Sequence, residues 1–383
     1  MDTIIGKNTL AVRAGLESDK QFGAVIPPVY LTSNFAFRQF GVEQQYDYSR
    51  TANPTRDTLA EAITALEDGY GATVTSSGMA ALTLVTTYLN PDDYVLIPHD
   101  CYGGTIRLFS KLSERGLLRT LYVDQGDLET VQQMVTKYKP KMVLVESPSN
   151  PLLRVVDIQA LSKITNKHDA LLVVDNTFLT PIFQTPFKLG ADLVIHSTTK
   201  YINGHSDVVG GVVVAKTEAL HQTIQEWANT LGLSGAPFDS YLTLRGLRTL
   251  KLRMHAHEKN ALALAKTLSE HPLIERVYYP GLTDHPSHVI AKKQQFGFGG
   301  ILSFEIKNGL QQVGAFFKNL DNFSLAESLG GVESLICHPY SMTHAAMSDE
   351  KKENAGISES LIRISAGIEQ QEDLTTSILR ALE

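Results

Sequence analysis

The sequence predicts an α/β protein with a mostly parallel sheet, followed by a smaller α+β domain. Between residues 72 and 215, short apolar runs alternate with segments whose apolar residues recur at helical spacing. These runs are continuous rather than alternating, which is typical of strands covered on both faces in a parallel sheet. A chain of 383 residues is also too long for one ordinary hydrophobic core, so two or more domains are expected.

The first segment, residues 1–50, is predicted to be an irregular arm, because neither helical nor strand periodicity continues for long. Such a segment in a compact protein is either functional or packed on a partner, and a mobile terminus is the plain alternative. Its aromatic content favours a packed arm, since disordered tails are poor in aromatic residues. These residues are Phe35, Phe37, Phe40, Tyr46 and Tyr48.

A helix is predicted after the arm. Asn53 can cap it, Pro54 suits its first position, and Gly69 is expected to end it. Strands are then predicted at 72–75, 94–97, 118–123, 142–145, 171–174, 193–195 and 212–215. Helices are predicted at 80–88, from the turn at 102–104 to about 115, at 127–138, and from 157 to about 167.

The pattern changes near residue 234. One long helical stretch, with Gly246 inside it, is predicted from about 238 to 271 as a bridge between domains. Strands at 276–279, 301–306 and 361–365, with helices near 310–319 and 373–382, form the smaller α+β domain. We therefore expect an N-terminal arm at 1–50, a large domain at 51–250 and a small C-terminal domain at 251–383.

Composition and charge argue against several classes of function. The formal net charge is −7 and there is no run of lysine or arginine, so no nucleic-acid partner is expected. No apolar window is long enough to span a membrane, and residues 1–7 lack the features of a signal peptide. The two cysteines, Cys101 and Cys337, suit a reducing cytoplasm and argue against a disulfide scaffold.

The most informative stretch is 191–201, where a predicted strand is followed by Ser197, Thr199 and Lys200. Ligands of α/β sheets are held at such strand ends. A lysine there, beside hydroxyl groups that can bind phosphate, is a candidate Schiff-base lysine for pyridoxal phosphate. Taken alone, the pattern favours an ordinary surface lysine, because exposure is the normal state of this residue type.

Three further residues at predicted strand ends strengthen the catalytic interpretation. Asp175 could keep a pyridine nitrogen protonated, although a turn cap is the common role of such an aspartate. Gly78 joins a strand to a helix whose N–H groups could bind phosphate, and Tyr102 could stack on a ring or be an ordinary half-buried loop residue. The sequence has neither a G-x-G-x-x-G motif nor a P-loop. No motif therefore indicates a binding site for a dinucleotide or a nucleoside triphosphate.

Two arginines are candidates for binding anions. Arg50, close to Tyr48, suits a phosphate clamp or a solvated surface charge. Arg363 lies within an apolar strand and needs a partner, which could be a structural carboxylate or the carboxylate of a substrate. No metal site is expected, because H-E-x-x-H is absent and two cysteines cannot build a cysteine zinc site. The G-x-S-x-G motif of serine hydrolases is absent as well.

Together these motifs resemble the Cys/Met-metabolism enzymes that use pyridoxal phosphate, and the resemblance covers essentially the whole chain. It implies fold type I, the fold of aspartate aminotransferase, with pyridoxal 5'-phosphate as cofactor. It also implies small amino-acid substrates and a homotetramer built from two catalytic dimers. The motifs that carry it lie at 48–50, 53–56, 77–79, 100–104, 146–151, 174–178 and 197–201.

The resemblance also implies a role for each matching residue. Lys200 would hold the cofactor as a Schiff base, Asp175 would pair with its pyridine nitrogen, and Tyr102 would stack on its ring. The implied phosphate ligands are Gly78, Met79, Ser197 and Thr199, joined by Tyr48 and Arg50 from the neighbouring subunit. The implied ligands of the substrate α-carboxylate are Asn150, Ser328 and Arg363, and further substrate contacts are assigned to Glu327, Asp47 and Arg107.

Within that family, Asp47 and the segments at 99–102 and 123–127 look most like the bacterial cystathionine γ-synthases. The implied reaction is the replacement of the succinyl group of O-succinyl-L-homoserine by L-cysteine, which gives L-cystathionine and succinate. Gly104 and the segment at 326–334 fit γ-synthases and γ-lyases alike, so a cystathionine γ-lyase or a bifunctional enzyme is the alternative. A pseudoenzyme that keeps the fold for binding is the alternative from another class, and the acyl group stays open.

Overall fold

A computed structural model describes residues 6–345 and 347–383. Residues 1–5, which begin the predicted arm and carry most of the signal-peptide argument, lie outside the described residues. The described chain contains two sheets. The strands of the larger sheet are β1 (Gly71–Thr75), β2 (Tyr94–Pro98), β3 (Arg119–Val123), β4 (Met142–Glu146), β5 (Leu171–Asp175), β6 (Leu193–His196) and β7 (Gly211–Ala215). Those of the smaller sheet are β8 (Ile274–Tyr278), β9 (Ile301–Ile306), β10 (Ser324–Leu325), β11 (Leu335–Cys337) and β12 (Leu361–Ser365).

Helices alternate with these strands and cover both sheets. Over the described ranges, none of them is long and apolar enough to cross a membrane. They are α1 (Lys7–Arg13), α2 (Pro54–Glu67), α3 (Gly78–Val85), α4 (Gly103–Glu114), α5 (Leu128–Tyr138), α6 (Ile158–Asn166), α7 (Thr180–Phe183), α8 (Glu218–Leu231), α9 (Pro237–Leu247), α10 (Leu250–Ser269), α11 (His288–Gln294), α12 (Leu310–Asn319), α13 (Asp349–Ala355) and α14 (Gln371–Leu382).

The larger sheet has the order β1-β7-β6-β5-β4-β2-β3, and β7 alone runs antiparallel to its neighbours within it. The prediction of a mostly parallel sheet is therefore confirmed. Glu146 pairs with Asp175 across β4 and β5, and Asp175 pairs with Ile195 across β5 and β6. Because parallel strands end at the same edge, the residues that follow β4, β5 and β6 converge there.

The central strands are buried on both faces, as their continuous apolar sequences predict. In β5, Leu172 and Val174 enter one hydrophobic core and Val173 enters the core on the opposite face. A third core lies between the smaller sheet and its helices, where Phe304 and Phe316 meet. These cores fix the strands against rotation, so the side chains at the strand ends have defined directions.

The start of α2 follows the sequence prediction. The side chain of Asn53 accepts a hydrogen bond from Thr55 N at 3.0 Å, and Pro54 occupies the first helical position. The helix ends one position earlier than predicted, because Asp68 rather than Gly69 takes the left-handed conformation, with φ 61°. Asn53 also donates from Nδ2 to Tyr30 O at 3.1 Å, which ties the helix to the preceding arm.

The prediction of one helix over 238–271 is wrong, because the chain forms α9 and α10 with a break at Arg248 and Thr249. A Cβ added at Gly246 would lie 2.1 Å from Asn203 O, so α9 packs directly on the loop after Lys200. The carbonyl of Gly246 then accepts from Thr249 N at 3.2 Å and from Arg253 Nη2 at 2.8 Å. The i to i−3 bond from Thr249 marks the point at which the regular helical ladder is interrupted.

Five of the described helices lie where none was predicted: α1, α7, α8, α11 and α13. Two of them show why. The helix α1 occupies part of the arm that was expected to be irregular, and Ala11 is its buried residue. The helix α8 follows β7, and its buried residues are Ile224 and Ala228. The helix α1 is short and buries only one residue, so its periodic signal is weak. The signal for α8 was present and was missed, since Leu220, Ile224, Trp227 and Leu231 recur at helical spacing.

Candidate active site

A cavity of about 560 Å³ opens at the carboxyl edge of the larger sheet. One wall contains Glu146 and Asp175 from the ends of β4 and β5, together with Lys200 from the loop after β6. The opposite wall contains Ser328, from the loop between β10 and β11, and Arg363 from β12. Both sheets therefore contribute to the cavity, which is a common arrangement for a small-molecule site.

Lys200 reaches across the cavity. Its Nζ donates a hydrogen bond to Ser328 Oγ at 2.7 Å. Burial and, next, the charge of Arg363 lower the pKa of Lys200 to about 8, while Glu327 acts in the opposite direction. The amine is therefore neutral in a much larger fraction of molecules near neutral pH than an exposed lysine, as a nucleophile or base requires.

Asp175 lines the same cavity as Lys200 and is held by hydrogen bonds. Its Oδ1 accepts hydrogen bonds from Thr177 N at 3.0 Å and from Thr177 Oγ1 at 2.5 Å. Thr177 Oγ1 in turn accepts from Ser197 N at 2.9 Å, which links the loops after β5 and β6. Burial raises the pKa of Asp175, while the bonds from Thr177 act against that shift. Since these bonds use only Oδ1, Asp175 can offer its second oxygen to a cation or an N–H group in the cavity.

The first turn of α3 forms another side of the cavity. Ser77 caps this helix, and its Oγ accepts from Ala80 N at 3.0 Å. A Cβ added at Gly78 would lie 2.7 Å from Ser197 Cβ, so only glycine allows the helix start to approach the loop before Lys200. The approach groups backbone N–H donors with the hydroxyls of Ser197 and Thr199 at the cavity surface.

Arg363 is buried, with 2% of its surface exposed, and it connects the two walls. Its Nη1 donates to Asn150 Oδ1 at 2.9 Å, and its Nη2 donates to Ser328 O at 2.6 Å. Among the described residues, its buried Nε has no hydrogen-bond partner. Because no carboxylate of the described residues pairs with this guanidinium, the arrangement suits a carboxylate supplied by a ligand.

Tyr102 stands at the mouth of the cavity and is 43% exposed. Its ring packs closely over Gly104, where an added Cβ would lie 2.4 Å from Tyr102 Cε1 and 2.9 Å from Met79 Sδ. A side chain at position 104 would therefore displace the ring. The glycine fixes the plane that Tyr102 offers to a ligand.

Glu146 is a cavity residue to which the sequence analysis assigned no role. It is 8% exposed, and its two oxygens accept hydrogen bonds from Tyr102 N and Asn150 N. The available signal was its position at the end of β4, which matches the position of Asp175 at the end of β5. Thr177 was also missed, although it follows Asp175 by two positions, as an Asx turn allows.

The chain also matches a known protein family. The family model for Cys/Met metabolism PLP-dependent enzymes matches residues 8–383. The chain belongs to this family. Its members depend on pyridoxal phosphate, so pyridoxal 5'-phosphate is the cofactor, and the fold is the fold type I expected from the sequence.

Individual relatives are similar over their full lengths. Cystathionine gamma-synthase of Escherichia coli (strain K12) is 52% identical over 371 residues, which cover 97% of this chain and 96% of the relative. Cystathionine gamma-lyase of Dictyostelium discoideum is 46% identical over 380 residues, or 99% of this chain and 97% of the relative. The crystal structure of cystathionine gamma synthase from Xanthomonas oryzae pv. oryzae in complex with cystathionine is 52% identical, with a TM-score of 0.98, and covers 99% and 98% of the two chains.

The residues of the cavity fit pyridoxal phosphate. The donor set at the start of α3 is neutral or positively polarised, as a phosphate requires. Asp175 and Lys200 face the same cavity, one with a free carboxyl oxygen and the other with an amine of lowered pKa. Gly78 keeps the phosphate side free of side-chain bulk, while Gly104 sets the position of an aromatic plane.

Most residues singled out from the sequence line this cavity. Those found there are Gly78, Met79, Tyr102, Arg107, Asn150, Asp175, Ser197, Thr199, Lys200, Glu327, Ser328 and Arg363. The arm residues Asp47, Tyr48 and Arg50 lie outside the lining. Arg50 Nη1 instead donates to Asn229 O at 2.8 Å and to Asn229 Oδ1 at 2.6 Å, and its guanidinium lies 5.4 Å from the centre of the Tyr48 ring.

Proposed function

We propose that this protein is a cystathionine γ-synthase that acts on O-succinyl-L-homoserine and L-cysteine. In the overall reaction the Cγ–O bond of the first substrate breaks and succinate leaves with the electron pair. The cysteine sulfur forms the new bond to Cγ and gives up its thiol proton. The products are L-cystathionine, succinate and the released proton, so atoms and charge balance without an oxidant or a reductant.

The observation that carries this proposal is the combination of Lys200, Asp175 and Arg363 in one cavity of a chain that is 52% identical to a cystathionine gamma-synthase over 97% of its length. Lysine supplies a nucleophile, aspartate supplies a charge for a ring nitrogen, and arginine supplies a carboxylate clamp. A reaction on an α-amino acid needs all three.

We assign the cofactor contacts as follows. Lys200 would hold pyridoxal 5'-phosphate covalently, Asp175 would face its pyridine nitrogen, and Tyr102 would stack on its ring. Once bound, this group supplies an electron sink for negative charge at the α-carbon of an amino acid. The proposed phosphate ligands are Gly78, Met79, Ser197 and Thr199.

Lys200 is the proposed proton carrier. Its Nζ in the neutral form takes a proton from Cα of the substrate and acts next at Cβ, as its lowered pKa allows. Ser328 Oγ, which accepts a hydrogen bond from Nζ at 2.7 Å, orients this amine. Tyr102, at the mouth of the cavity, assists proton transfer.

The substrate contacts lie on the opposite wall. Arg363, with Asn150 and Ser328, would bind the α-carboxylate of the amino acid. Arg107 is exposed within the cavity lining, so its guanidinium is available to the distal part of the first substrate. Glu327 and, from the arm, Asp47 are assigned to the amino group of the incoming cysteine.

We further propose a homotetramer of two catalytic dimers in which Tyr48 and Arg50 contact the phosphate of the neighbouring subunit's cofactor. The exposure of the arm supports this assembly, since Phe40 is fully exposed and Phe22 is 84% exposed. Exposed apolar side chains of this size are typical of surfaces that a partner subunit covers. We also propose the division into an arm at 1–50, a large domain at 51–250 and a small domain at 251–383. A cytoplasmic location is consistent with Cys101 and Cys337, which are both free and buried.

The proposal is tested with two parallel assays on the purified holoenzyme. One contains O-succinyl-L-homoserine and L-cysteine, and the other contains L-cystathionine alone. We expect cystathionine formation to be faster than 2-oxobutyrate release. The opposite order would identify a cystathionine γ-lyase, the activity carried in the names of relatives that are 46% and 45% identical. A purified protein without the colour of bound cofactor would instead favour a pseudoenzyme.

A further inference from the structure

Glu146 ties together two loops of the active site. Its Oε2 accepts a hydrogen bond from Tyr102 N at 2.8 Å, and its Oε1 accepts from Asn150 N at 2.9 Å. The first N–H group ends the loop after β2, where Tyr102 precedes α4, and the second belongs to the loop after β4. A single carboxyl group therefore sets the distance between two segments that are 48 positions apart in the sequence.

Both contacts lead directly to groups that face the ligand. The backbone of Tyr102 carries the ring at the mouth of the cavity, and its position also depends on Gly104. Asn150 Oδ1 accepts from Arg363 Nη1 at 2.9 Å. A displacement of Asn150 N would therefore reach the guanidinium through one side chain.

The surroundings of Glu146 destabilise its ionised carboxyl group. This energetic cost argues against an incidental contact. The residue is 8% exposed and lies directly across the sheet from Asp175. Burial, followed by the charge of Asp175, raises the pKa of Glu146 well above its usual range, and the two backbone N–H groups act against that shift. Two buried carboxyl groups side by side destabilise a fold, and groups perturbed in this way are concentrated at functional sites.

We propose that Glu146 is a positioning residue of this active site: its carboxyl group fixes Tyr102 and Asn150, and through Asn150 it sets Arg363 for the carboxylate of an amino acid. The inference rests on the proposed function only in taking an α-amino acid as the ligand. It assigns a role to a residue that contacts backbone groups rather than the reacting atoms.

The test compares glycine with methylamine, which lacks the carboxylate, by titrating each into the holoenzyme and following cofactor absorbance. The preference for glycine measures the carboxylate clamp. In Glu146→Gln one acceptor oxygen becomes an NH₂ group, so one backbone N–H loses its partner. We expect the preference to fall by about tenfold, with a change in the visible circular dichroism of the cofactor as Tyr102 shifts.

Glu258→Gln is the matched control, because Glu258 Oε1 also accepts from a backbone N–H, that of Phe298 at 2.6 Å, and lies outside the cavity lining. It should leave the glycine preference unchanged. A folded Glu146→Gln enzyme with a preference within about twofold of wild type would overturn the inference. If that variant does not fold, Glu146→Asp can be tested in the same way. Its shorter side chain keeps the carboxyl group but moves both acceptor oxygens away from the two backbone N–H groups.

Failure of the proposed function gives a different result. A wild-type enzyme that forms no cystathionine, but whose glycine preference falls in Glu146→Gln, would refute the synthase reaction and retain the positioning role. If the wild-type enzyme forms cystathionine and the glycine preference is unchanged in Glu146→Gln, the synthase reaction stands and the positioning role is refuted.

Discussion

Lys200 Nζ lies 2.7 Å from Ser328 Oγ, although the two residues are 128 positions apart and belong to opposite walls of the cavity. Ser328 holds a left-handed conformation with φ 80°, which is strained for a residue with a side chain. Its carbonyl accepts from Arg363 Nη2 at 2.6 Å, and this bond holds the strained residue in place. The candidate catalytic lysine is thus oriented by the smaller sheet, and the site exists only when both sheets are assembled.

Lys200→Ala should reduce kcat by about 10³-fold or more, because it removes both the proposed covalent anchor and the proposed proton carrier. The measurement is cystathionine formation together with the visible absorption spectrum of the bound cofactor. Lys216→Ala, at an exposed position just after β7, is the control and should behave as wild type. Turnover near the wild-type rate in Lys200→Ala would show that the assigned role is wrong.

The pKa of Lys200, about 8, predicts how the apoenzyme takes up its cofactor. Only the neutral amine attacks an aldehyde, so the rate of reconstitution should rise with pH through about 8, rather than through about 10.4 as for an exposed lysine. Glu327 raises the pKa of Lys200, so Glu327→Gln should move the midpoint to lower pH. Stopped-flow absorbance at fixed ionic strength gives the profile, and a midpoint near 10 would contradict the prediction.

Asp175→Asn should lower kcat by about 10²–10³-fold, since the amide keeps the shape of the side chain and loses the charge that would hold a ring nitrogen protonated. Burial raises the pKa of Asp175, so its ionised form is destabilising in the folded state. The apoenzyme variant should therefore unfold at the same temperature as wild type or higher, as calorimetry can show. Asp175→Glu keeps the charge and shifts it by one methylene. A fully active Asp175→Asn enzyme would exclude a role for the charge.

Gly104→Ala should displace Tyr102, because the new Cβ would lie 2.4 Å from Tyr102 Cε1. We expect kcat/KM to fall by about tenfold and the unfolding free energy to fall by about 1–3 kcal/mol, as overpacking typically costs. Gly314→Ala is the matched control, since nothing lies within 4 Å of its added Cβ and it is inside α12. That change should stabilise the helix by about 1 kcal/mol and leave turnover intact. An active, stable Gly104→Ala enzyme would show that the ring position is not set by this glycine.

Sequence reasoning located the cavity because its chemistry begins at strand ends. Apolar runs mark β5 and β6, and parallel strands end at one edge, so the sequence alone predicts that Asp175 and Lys200 lie near each other. Contacts between distant segments carry no comparable signal. The break between α9 and α10 lies beside the close approach of Gly246 to Asn203, and helical periodicity continues across it. The bond from Lys200 to Ser328 joins two such distant segments.

Two other features of the site could not be predicted from local sequence patterns. The proposed role of Tyr48 and Arg50 involves a neighbouring subunit, and within one chain Arg50 bonds to Asn229 instead. Glu146 had the same strand-end position as Asp175. It was missed because its contacts are to backbone N–H groups, which no sequence motif records.

Arg363→Lys separates the geometry of the carboxylate clamp from its charge. A lysine ammonium keeps the positive charge that lowers the pKa of Lys200, but it cannot bond Asn150, Ser328 and a carboxylate in one plane as a guanidinium does. We expect KM for O-succinyl-L-homoserine to rise by about 10- to 100-fold, as the loss of charge-assisted hydrogen bonds predicts, with a smaller change in kcat. Arg380→Lys is the control, because Arg380 forms an exposed ion pair with Asp321 at 3.0 Å, and such pairs contribute about 0–1 kcal/mol. If KM stays at the wild-type value in Arg363→Lys, the α-carboxylate binds elsewhere, and the unpartnered Nε of Arg363 needs another ligand.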